Sequence, residues 1–178
     1  QENSPKVLYI TPYFHNPAGI IYNYERKHAL LNALKDQELI LIEDDPYGEL
    51  YFDKHDKALT VPMMSQPNPP VPICYVGSFS KILGPGMRLG WILGPSEIVS
   101  KCALAKQSMD ACSPTFTQVL ANEFLVQGKL SGYVEKVRKI YSRRAKIMLD
   151  AMAKYCPHGV EWNRPKCGFY IWVTMPKK

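Results

Sequence analysis

The fold is indicated most clearly by the stretch ICYVGSFSKILGPGMRLGWIL, residues 73–93. Two short apolar runs, Ile73 to Gly77 and Leu89 to Leu93, flank a turn that is rich in glycine, serine and proline. Each run has the length of a buried strand. The connection is too short for a crossover helix, so we expect two antiparallel neighbours. Lys81 lies in the turn between them.

Two further strands are predicted upstream of this stretch. Val7 to Ile10 is a short apolar run, and Leu39 to Ile42 is a second one that the acidic residues 43–45 and Pro46 are expected to end. Between them, Asn23 is placed to cap a helix that reaches about Gln37. This alternation of strands and helices predicts an α/β domain with a mostly parallel sheet and helices on both faces.

The rest of the chain is predicted to be mainly helical. Helices are expected from a cap at Ser96 to about Asp110, from Pro114 to Gly128, and from about Gly132 to Tyr155. Val160 to Trp162 and Phe169 to Val173 are then predicted as two strands of a different layer. We therefore expect residues 1–145 to form the second half of a large domain. Residues 146–178 would hold the end of a linking helix and the start of a small α+β C-terminal domain.

The composition excludes several classes of protein. With 46% hydrophobic and 21% charged residues the chain is typical of soluble globular proteins, and no apolar run could cross a bilayer. The five cysteines are scattered and lack metal-ligand spacing, so we interpret them as reduced thiols in a cytoplasmic protein and expect no metal site. The net charge of +6 is concentrated in one helix-like stretch, which is typical of a solvated helix face and not of a nucleic-acid surface.

Polar side chains follow the C-terminal ends of the predicted strands, at the edge where open α/β sheets bind ligands. The set consists of Asn16, Asp44, Tyr47, Ser78, Ser80, Lys81 and Arg88.

These residue types together suit an electron-sink cofactor that is carried on a lysine. A lysine amine forms imines with aldehydes when its surroundings favour the neutral amine. Asp44 can hold a pyridine nitrogen protonated, while Asn16 and Tyr47 can donate hydrogen bonds to a phenolate oxygen. The two serine hydroxyls and Arg88 are the groups that bind a phosphate.

Three motifs resemble one known family. Residues 77–91 resemble the cofactor-lysine motif of the fold-type I, class I/II aminotransferases, in the branch of the 2-aminoadipate, kynurenine and aromatic aminotransferases. Asn16-Pro17-Ala18-Gly19 is similar to that family's Asn-Pro-Thr-Gly turn, and residues 43–47 are similar to its Asp-x-x-Tyr strand end. The order and separations of the motifs fit as well, so the resemblance spans essentially the whole chain.

The resemblance implies pyridoxal 5'-phosphate (PLP) as cofactor and a role for each residue of the set. Lys81 would carry PLP as a Schiff base and move the proton between the substrate α-carbon and the cofactor. Asp44 would pair with the pyridinium nitrogen, and the Asn16-Pro17 bond would be cis, as in relatives. The other contacts would be to the phenolate oxygen from Asn16 and Tyr47, and to the phosphate from Ser78, Ser80 and Arg88.

Some points stay open at the level of sequence. Asp45 is a rival for the role of Asp44, which is preferred because Tyr47 follows it by three residues, as the family pattern requires. His15 stands where this branch commonly has glutamine, and Ala18 replaces the threonine of the turn. We interpret His15 as part of a pocket wall, which leaves the substrate open.

The implied function is transfer of an amino group between an L-amino acid and a 2-oxo acid by a cytoplasmic homodimer, with no nucleic-acid or membrane partner. Two alternatives remain: a PLP-binding effector domain of an aminotransferase-like transcription regulator, and a PLP lyase or synthase on the same fold. The family's phosphate-binding glycine turn, ring-stacking aromatic residue and C-terminal substrate arginine are not found. We therefore expect the chain from Gln1 to Lys178 to be the middle of a longer enzyme, truncated at both ends and inactive alone.

Overall fold

The computed structural model describes residues 4–177, so both expected cuts, at Gln1 and at Lys178, lie outside the described residues. Its strands are β1 (Val7–Ile10), β2 (Ile40–Asp45), β3 (Ile73–Ser78), β4 (Gly90–Leu93), β5 (Glu161–Trp162) and β6 (Val173–Thr174). Its α-helices are α1 (Tyr24–Ala33), α2 (Ser96–Asp110), α3 (Thr115–Val126) and α4 (Lys129–Tyr155), and three short 3-10 helices lie between β2 and β3.

The main sheet has the strand order β1-β2-β3-β4. The first three strands are parallel, and β4 runs antiparallel to β3, with Gly77 opposite Trp91. Both predictions, a mostly parallel sheet and an antiparallel pair around the Lys81 turn, are confirmed. β5 and β6 form a separate antiparallel pair, as expected for a different layer. The proposed domain boundary after residue 145 falls within α4 and stays a prediction.

The acidic run after the second apolar strand does not end that strand, which is a correction to the sequence-based prediction. β2 continues through Glu43 and Asp44 to Asp45, and buried and half-buried positions alternate along it. The strand can continue because Glu43 and Asp45 find hydrogen-bond partners in the core, and a buried carboxylate without such partners would be costly.

The helix ends follow local capping chemistry. Asn23 caps α1 by accepting a hydrogen bond from the Arg26 amide at 2.9 Å, as predicted. The helix ends at Ala33 and not near Gln37, because Asp36 takes a left-handed conformation that closes it. In α2 the cap position is Pro95 and not Ser96.

The C-terminal half differs from the prediction in two places. α4 begins at Lys129, about one turn earlier than predicted. Gly128, with a φ of 65°, lies directly before it and separates α4 from α3. Only Val173–Thr174 of the second predicted strand pairs with β5, so residues 169–172 form no strand. Among the described helices, none is both long enough and apolar enough to cross a bilayer.

The hydrophobic core lies against one face of the main sheet. Leu31 and Leu34 of α1 pack with Leu41 and Ile73, while a second cluster joins Val134 of α4 to other buried side chains, namely Tyr13, Phe14, Tyr47, Leu50, Tyr51, Ile82 and Cys167. On the opposite face of β1, Val7 and Tyr9 are more than half exposed. Side chains therefore alternate between a packed and an open face.

A buried polar cluster fixes the long connection between β2 and β3. Glu43 is fully buried and accepts hydrogen bonds from the Tyr13 hydroxyl and from the amides of Met63 and Met64. The amine of Lys27 donates to two carbonyl groups of this connection, at 2.6 and 2.8 Å, and lies over the Tyr13 ring. Burial lowers the pKa of Lys27 to about 8. These bonds hold residues 59–64 against α1 and β2.

We predict that Glu43→Gln destabilises the natural protein by about 2 kcal/mol, because an amide group cannot accept all three hydrogen bonds and one buried donor is left unpaired. The midpoint of urea-induced unfolding measures this effect. Glu38→Gln is the matched control, since the Glu38 side chain is 92% exposed, and we expect no shift for it. Equal midpoints for both variants would contradict the importance of the buried cluster.

Candidate active site

The β3–β4 hairpin brings three of the predicted site residues together. Ser78 pairs with Gly90, and the Phe79 amide donates to the Leu89 carbonyl at 3.0 Å. The next residues on the two sides, Ser80 and Arg88, are therefore neighbours across the start of the turn. The Ser80 amide also donates to Ser78 Oγ at 3.1 Å. Two hydroxyls thus lie at the C-terminal end of β3, while the exposed Arg88 side chain donates to the Pro85 carbonyl within the turn at 3.4 Å.

Lys81 lies in the first turn after β3. The Leu83 amide donates to the Phe79 carbonyl at 2.8 Å, so residues 79–83 form a helical turn. Ile82 is buried in the core and anchors this turn, whereas Lys81 is half-buried. Lys81 lines a hollow of about 220 Å³ whose wall is formed partly by Tyr133, Tyr141 and Phe169. Within residues 4–177, the Lys81 amine forms no hydrogen bond to another side chain.

Asp44 and Asp45 point to opposite faces of the sheet. Asp45 is buried on the core side, where its carboxylate accepts from the Gly48 amide at 2.6 Å and from the Tyr75 hydroxyl at 2.7 Å. Asp44 is half-buried on the open side and accepts from the Tyr9 hydroxyl at 2.5 Å. Only Asp44 is therefore turned to the open face, which favours it over its rival.

Tyr47 is 5% exposed, and its hydroxyl is the centre of a small polar group. It lies 3.5 Å from the hydroxyl of Tyr170. Burial raises the pKa of Tyr47, the hydrogen bond with Tyr170 and the charge of Asp44 raise it further, and a hydrogen bond with Asn16 lowers it. The hydroxyl of Tyr47 therefore stays protonated near neutral pH and is a hydrogen-bond donor.

The turn that contains Asn16 is closed by its own backbone and tied to the small sheet. The Asn16-Pro17 bond is cis, as expected, and the Gly19 amide donates to the His15 carbonyl at 2.6 Å. The Asn163 side chain donates to the Ala18 carbonyl at 2.7 Å and accepts from the Trp172 amide at 2.8 Å. The turn is thus fixed beside Tyr47 by contacts from a distant part of the chain.

The seven predicted residues form two groups at one edge of the sheet. Asn16 and Asp44 lie close enough to the Tyr47 hydroxyl to influence its pKa, and the second group lies on the β3–β4 hairpin. Asp44 is opposite Val76, so Ser78 lies two residues further along the neighbouring strand, on the same face. By strand spacing, the Cα atoms of Asp44 and Ser78 are roughly 8 Å apart.

Two tyrosines that the sequence did not predict as site residues contact this set. Tyr9, on β1, could have been found from the period-two pattern, because the register places it opposite Ile42, on the same face as Asp44. Tyr170 was interpreted as part of a core strand, but residues 169–172 form no strand and Tyr170 reaches Tyr47 instead. No local signal in the sequence indicates that contact.

The structure also bears on His15 and on metals. His15 is half-buried and lines a hollow of about 360 Å³ together with Tyr9, Ile20 and Tyr22. This position is compatible with the wall that the sequence suggested. Across residues 4–177, no group of three or more histidine, cysteine, aspartate and glutamate side chains could hold a metal ion.

Comparison with known proteins shows the family. The chain belongs to the family described as aminotransferase class I and II, whose sequence profile it matches over residues 1–178. It is 36% identical to an aromatic-amino-acid aminotransferase of Thermococcus litoralis, over 97% of this chain and 40% of that protein. It is 34% identical to an uncharacterized HTH-type transcriptional regulator of Bacillus subtilis, over 98% of this chain and 35% of that protein.

The fold is that of a known crystal structure. The kynurenine aminotransferase of Pyrococcus horikoshii, in complex with PMP and KYN as substrates and KYA as product, superposes with a TM-score of 0.85 and 39% identity. That match covers 97% of this chain and 42% of the other. The α/β fold class inferred from the sequence is therefore confirmed. The chain spans less than half the length of these relatives.

We predict that Asp45→Asn removes a pH dependence of stability. Burial raises the pKa of Asp45 to about 6, well above the 3.8 of an exposed carboxyl, although hydrogen bonds from Tyr75 and the Gly48 amide oppose the rise. The folded state therefore holds this proton more tightly, and the resulting stabilisation is present below about pH 4 and lost as the pH rises through 6.

The asparagine variant does not ionise, so its stability relative to wild type should increase on the order of 2–3 kcal/mol between pH 4 and pH 7. Urea unfolding at several pH values measures this difference. Asp36→Asn, at an exposed carboxyl group, is the control. Parallel pH profiles for wild type and Asp45→Asn would refute the prediction.

Proposed function

We propose that the natural protein is a PLP-dependent aminotransferase that moves an amino group between an L-amino acid and a 2-oxo acid. The observation that carries the proposal is that the two neighbouring aspartates point to opposite faces of the sheet. Asp45 is used in the core, while Asp44 is turned to the open face, at the same sheet edge as the turn that contains Lys81. An acid and an amine at one edge are what this chemistry needs.

The donor set fits the cofactor in kind and in spacing. PLP has a ring nitrogen that takes a carboxylate, a phenolate oxygen that takes donors, and a phosphate that takes hydroxyls and a guanidinium group. The predicted residues at the sheet edge include a carboxylate, two hydrogen-bond donors, two serine hydroxyls and a guanidinium group. A separation of roughly 8 Å between the Cα atoms of Asp44 and Ser78 leaves room for a pyridine ring and its phosphate arm between the two side chains.

When it is bound, PLP supplies an aldehyde and an electron-withdrawing ring. In the proposed arrangement, Asp44 keeps the proton on the ring nitrogen, since a carboxylate at that position favours the charged form. The protonated hydroxyl of Tyr47 and the amide of Asn16 donate to the phenolate oxygen. The phosphate is held by the hydroxyls of Ser78 and Ser80 and by the guanidinium group of Arg88.

Lys81 is proposed to link the cofactor covalently and then to move a proton. Lys81 lines a hollow with aromatic walls, and its amine has no hydrogen-bonded side-chain partner within the described chain, so it is not committed to an ion pair. A free primary amine is the nucleophile that an aldehyde requires. The same amine would be the base that takes the proton from the substrate α-carbon and returns it.

Substrate class and assembly are part of the proposal. The aromatic wall of the hollow around Lys81 suits an aromatic, 2-aminoadipate-like or large aliphatic side chain. The similarity to the aminotransferases of Thermococcus and Pyrococcus supports the aromatic choice. We further propose a cytoplasmic homodimer, without a nucleic-acid or membrane partner, in which the rest of the protein supplies the remaining cofactor and substrate contacts.

A second candidate function is PLP sensing by a transcription regulator, because the chain is 34% identical to an HTH-type regulator of Bacillus subtilis. Both candidates bind PLP through Lys81, but only the enzyme converts PLP to its amine form with an amino acid and back with a 2-oxo acid. A PLP lyase or synthase would instead release a product other than the 2-oxo acid. Product analysis of single half-reactions separates the three.

We predict that the purified natural protein shows a visible absorption band with PLP and that Lys81→Ala abolishes it. Borohydride reduction followed by peptide mass spectrometry should place the cofactor on Lys81. Lys139→Ala is the control, since this lysine is 76% exposed on α4, and it should keep the band. Absence of a band in the wild-type protein with added PLP would defeat the proposal.

We also predict that the two aspartates differ in their effect on catalysis. Asp44→Asn should lower the rate of the half-reaction at least 100-fold, because the charge that stabilises the ring proton is lost. Asp45→Asn should change it less than fivefold, since Asp45 faces the core. Stopped-flow absorbance with a single amino acid measures both rates. The reverse order would mean that Asp45 is the cofactor's partner.

A further inference from the structure

We propose that Tyr9 is a positioning residue that fixes the carboxylate of Asp44 for the cofactor nitrogen. This inference rests on the proposed function, because it assigns a task to Asp44. It goes beyond that function by naming a residue that touches neither PLP nor substrate and acts through the aspartate.

The register of β1 and β2 brings the two side chains together. Tyr9 is opposite Ile42, and Asp44 lies two residues further along β2, on the same face. A tyrosine ring reaches such a diagonal neighbour on a sheet surface. The Tyr9 hydroxyl then donates to Asp44 Oδ2 at 2.5 Å. The contact follows from strand pairing and not from a flexible loop.

The hydroxyl of Tyr9 donates to a charged acceptor, and hydrogen bonds of this kind are stronger than those between neutral groups. The hydrogen bond to Asp44 is the main cause that raises the pKa of Tyr9 to about 12, with burial and the charge of Asp44 adding to it. The hydroxyl therefore stays protonated across the physiological range and remains a donor. One carboxylate oxygen is occupied, and the other is left for the ring nitrogen.

A fixed orientation matters here because the last torsion of an aspartate side chain is broad and roughly two-fold. Without a donor on Oδ2, the carboxylate of Asp44 has no other side-chain hydrogen bond in the described part of the chain to hold it. The hydroxyl of Tyr9 also withdraws charge from the carboxylate and stabilises its ionised form, so the shared proton stays on the ring nitrogen.

A purely structural role does not explain Tyr9 equally well. Its neighbours Leu8 and Ile10 pack into the core around α1, whereas Tyr9 lies on the other face and is 58% exposed. Neither core cluster includes its ring. The hydrogen bond to Asp44 is the one specific contact that the described structure gives its hydroxyl.

The test is a double-mutant cycle in the full-length natural protein with Tyr9→Phe, Asp44→Asn and both together. The first readout is the dissociation constant of PLP, measured by titrating the apoprotein and following tyrosine and tryptophan fluorescence. The second readout is the rate of the half-reaction with one amino acid. Tyr155→Phe, at a tyrosine that is 72% exposed on α4, is the control.

We expect Tyr9→Phe to weaken PLP binding three- to tenfold, as the loss of one positioning hydrogen bond predicts, and to slow the half-reaction about tenfold without a matching rise in KM. In the Asp44→Asn background the same change should have no further effect, because there is no carboxylate to position. The control should behave like wild type.

Three results would overturn the inference. Additive effects of the two substitutions on both readouts would mean that Tyr9 acts independently of Asp44. An unchanged PLP affinity and rate in Tyr9→Phe would mean that the contact has no function. If the wild-type protein itself failed to bind PLP, the proposed function would fall and this inference with it, which distinguishes that failure from the first two.

Discussion

The pleat of β2 is the constraint on which the site depends. Three acids follow one another at the end of this strand, and successive side chains of a strand must point to opposite faces. Glu43 and Asp45 are directed into the core, where each accepts hydrogen bonds from a tyrosine and from backbone amides. Asp44 is then turned to the open face. The core therefore sets the direction of the carboxylate that we propose as the partner of the cofactor nitrogen.

The other predicted site residues are placed by pairings between strands. The β3–β4 pairing, extended by the bond from the Phe79 amide to the Leu89 carbonyl, brings the backbone of Ser80 towards that of Arg88, although eight positions separate them in the chain. The parallel register of β2 and β3 sets the spacing between Asp44 and Ser78. Both pairings end at the same edge of the sheet, where an anionic arm and a ring can be held at two points. Side chains on rigid strands hold such a geometry better than side chains on loops.

Much of this arrangement could be predicted from the sequence, because local signals are strong in the first half of the chain. The apolar runs, the Asn23 cap and the short connection around Lys81 each have one physical interpretation, and each is confirmed. The predicted end of β2 was wrong because charged residues usually end a strand. The hydrogen-bond partners that keep Glu43 and Asp45 in this strand come from residues 13, 48, 63 and 75, which are not its sequence neighbours in most cases.

The incorrect strand prediction near the C-terminus also results from contacts between residues that are distant in sequence. Residues 169–172 form a continuous apolar run with three aromatic side chains, which favours a strand, but two of these side chains pack against Tyr47 and against Tyr141 on α4 instead. Contacts of this kind join positions more than twenty residues apart and leave no periodic signal. For the same reason the tie between Tyr170 and Tyr47 could not be seen before the fold was known.

The side chain of Asn163 bridges the turn after Asn16 and the small sheet, since it bonds to Ala18 on one side and to Trp172 on the other. Any rotation of the small sheet against the large one must therefore break these bonds or carry the turn with it. The amide of Asn16 is thus mechanically coupled to the C-terminal layer. Displacement of that layer would be transmitted to the turn that contains Asn16 through the amide of Asn163.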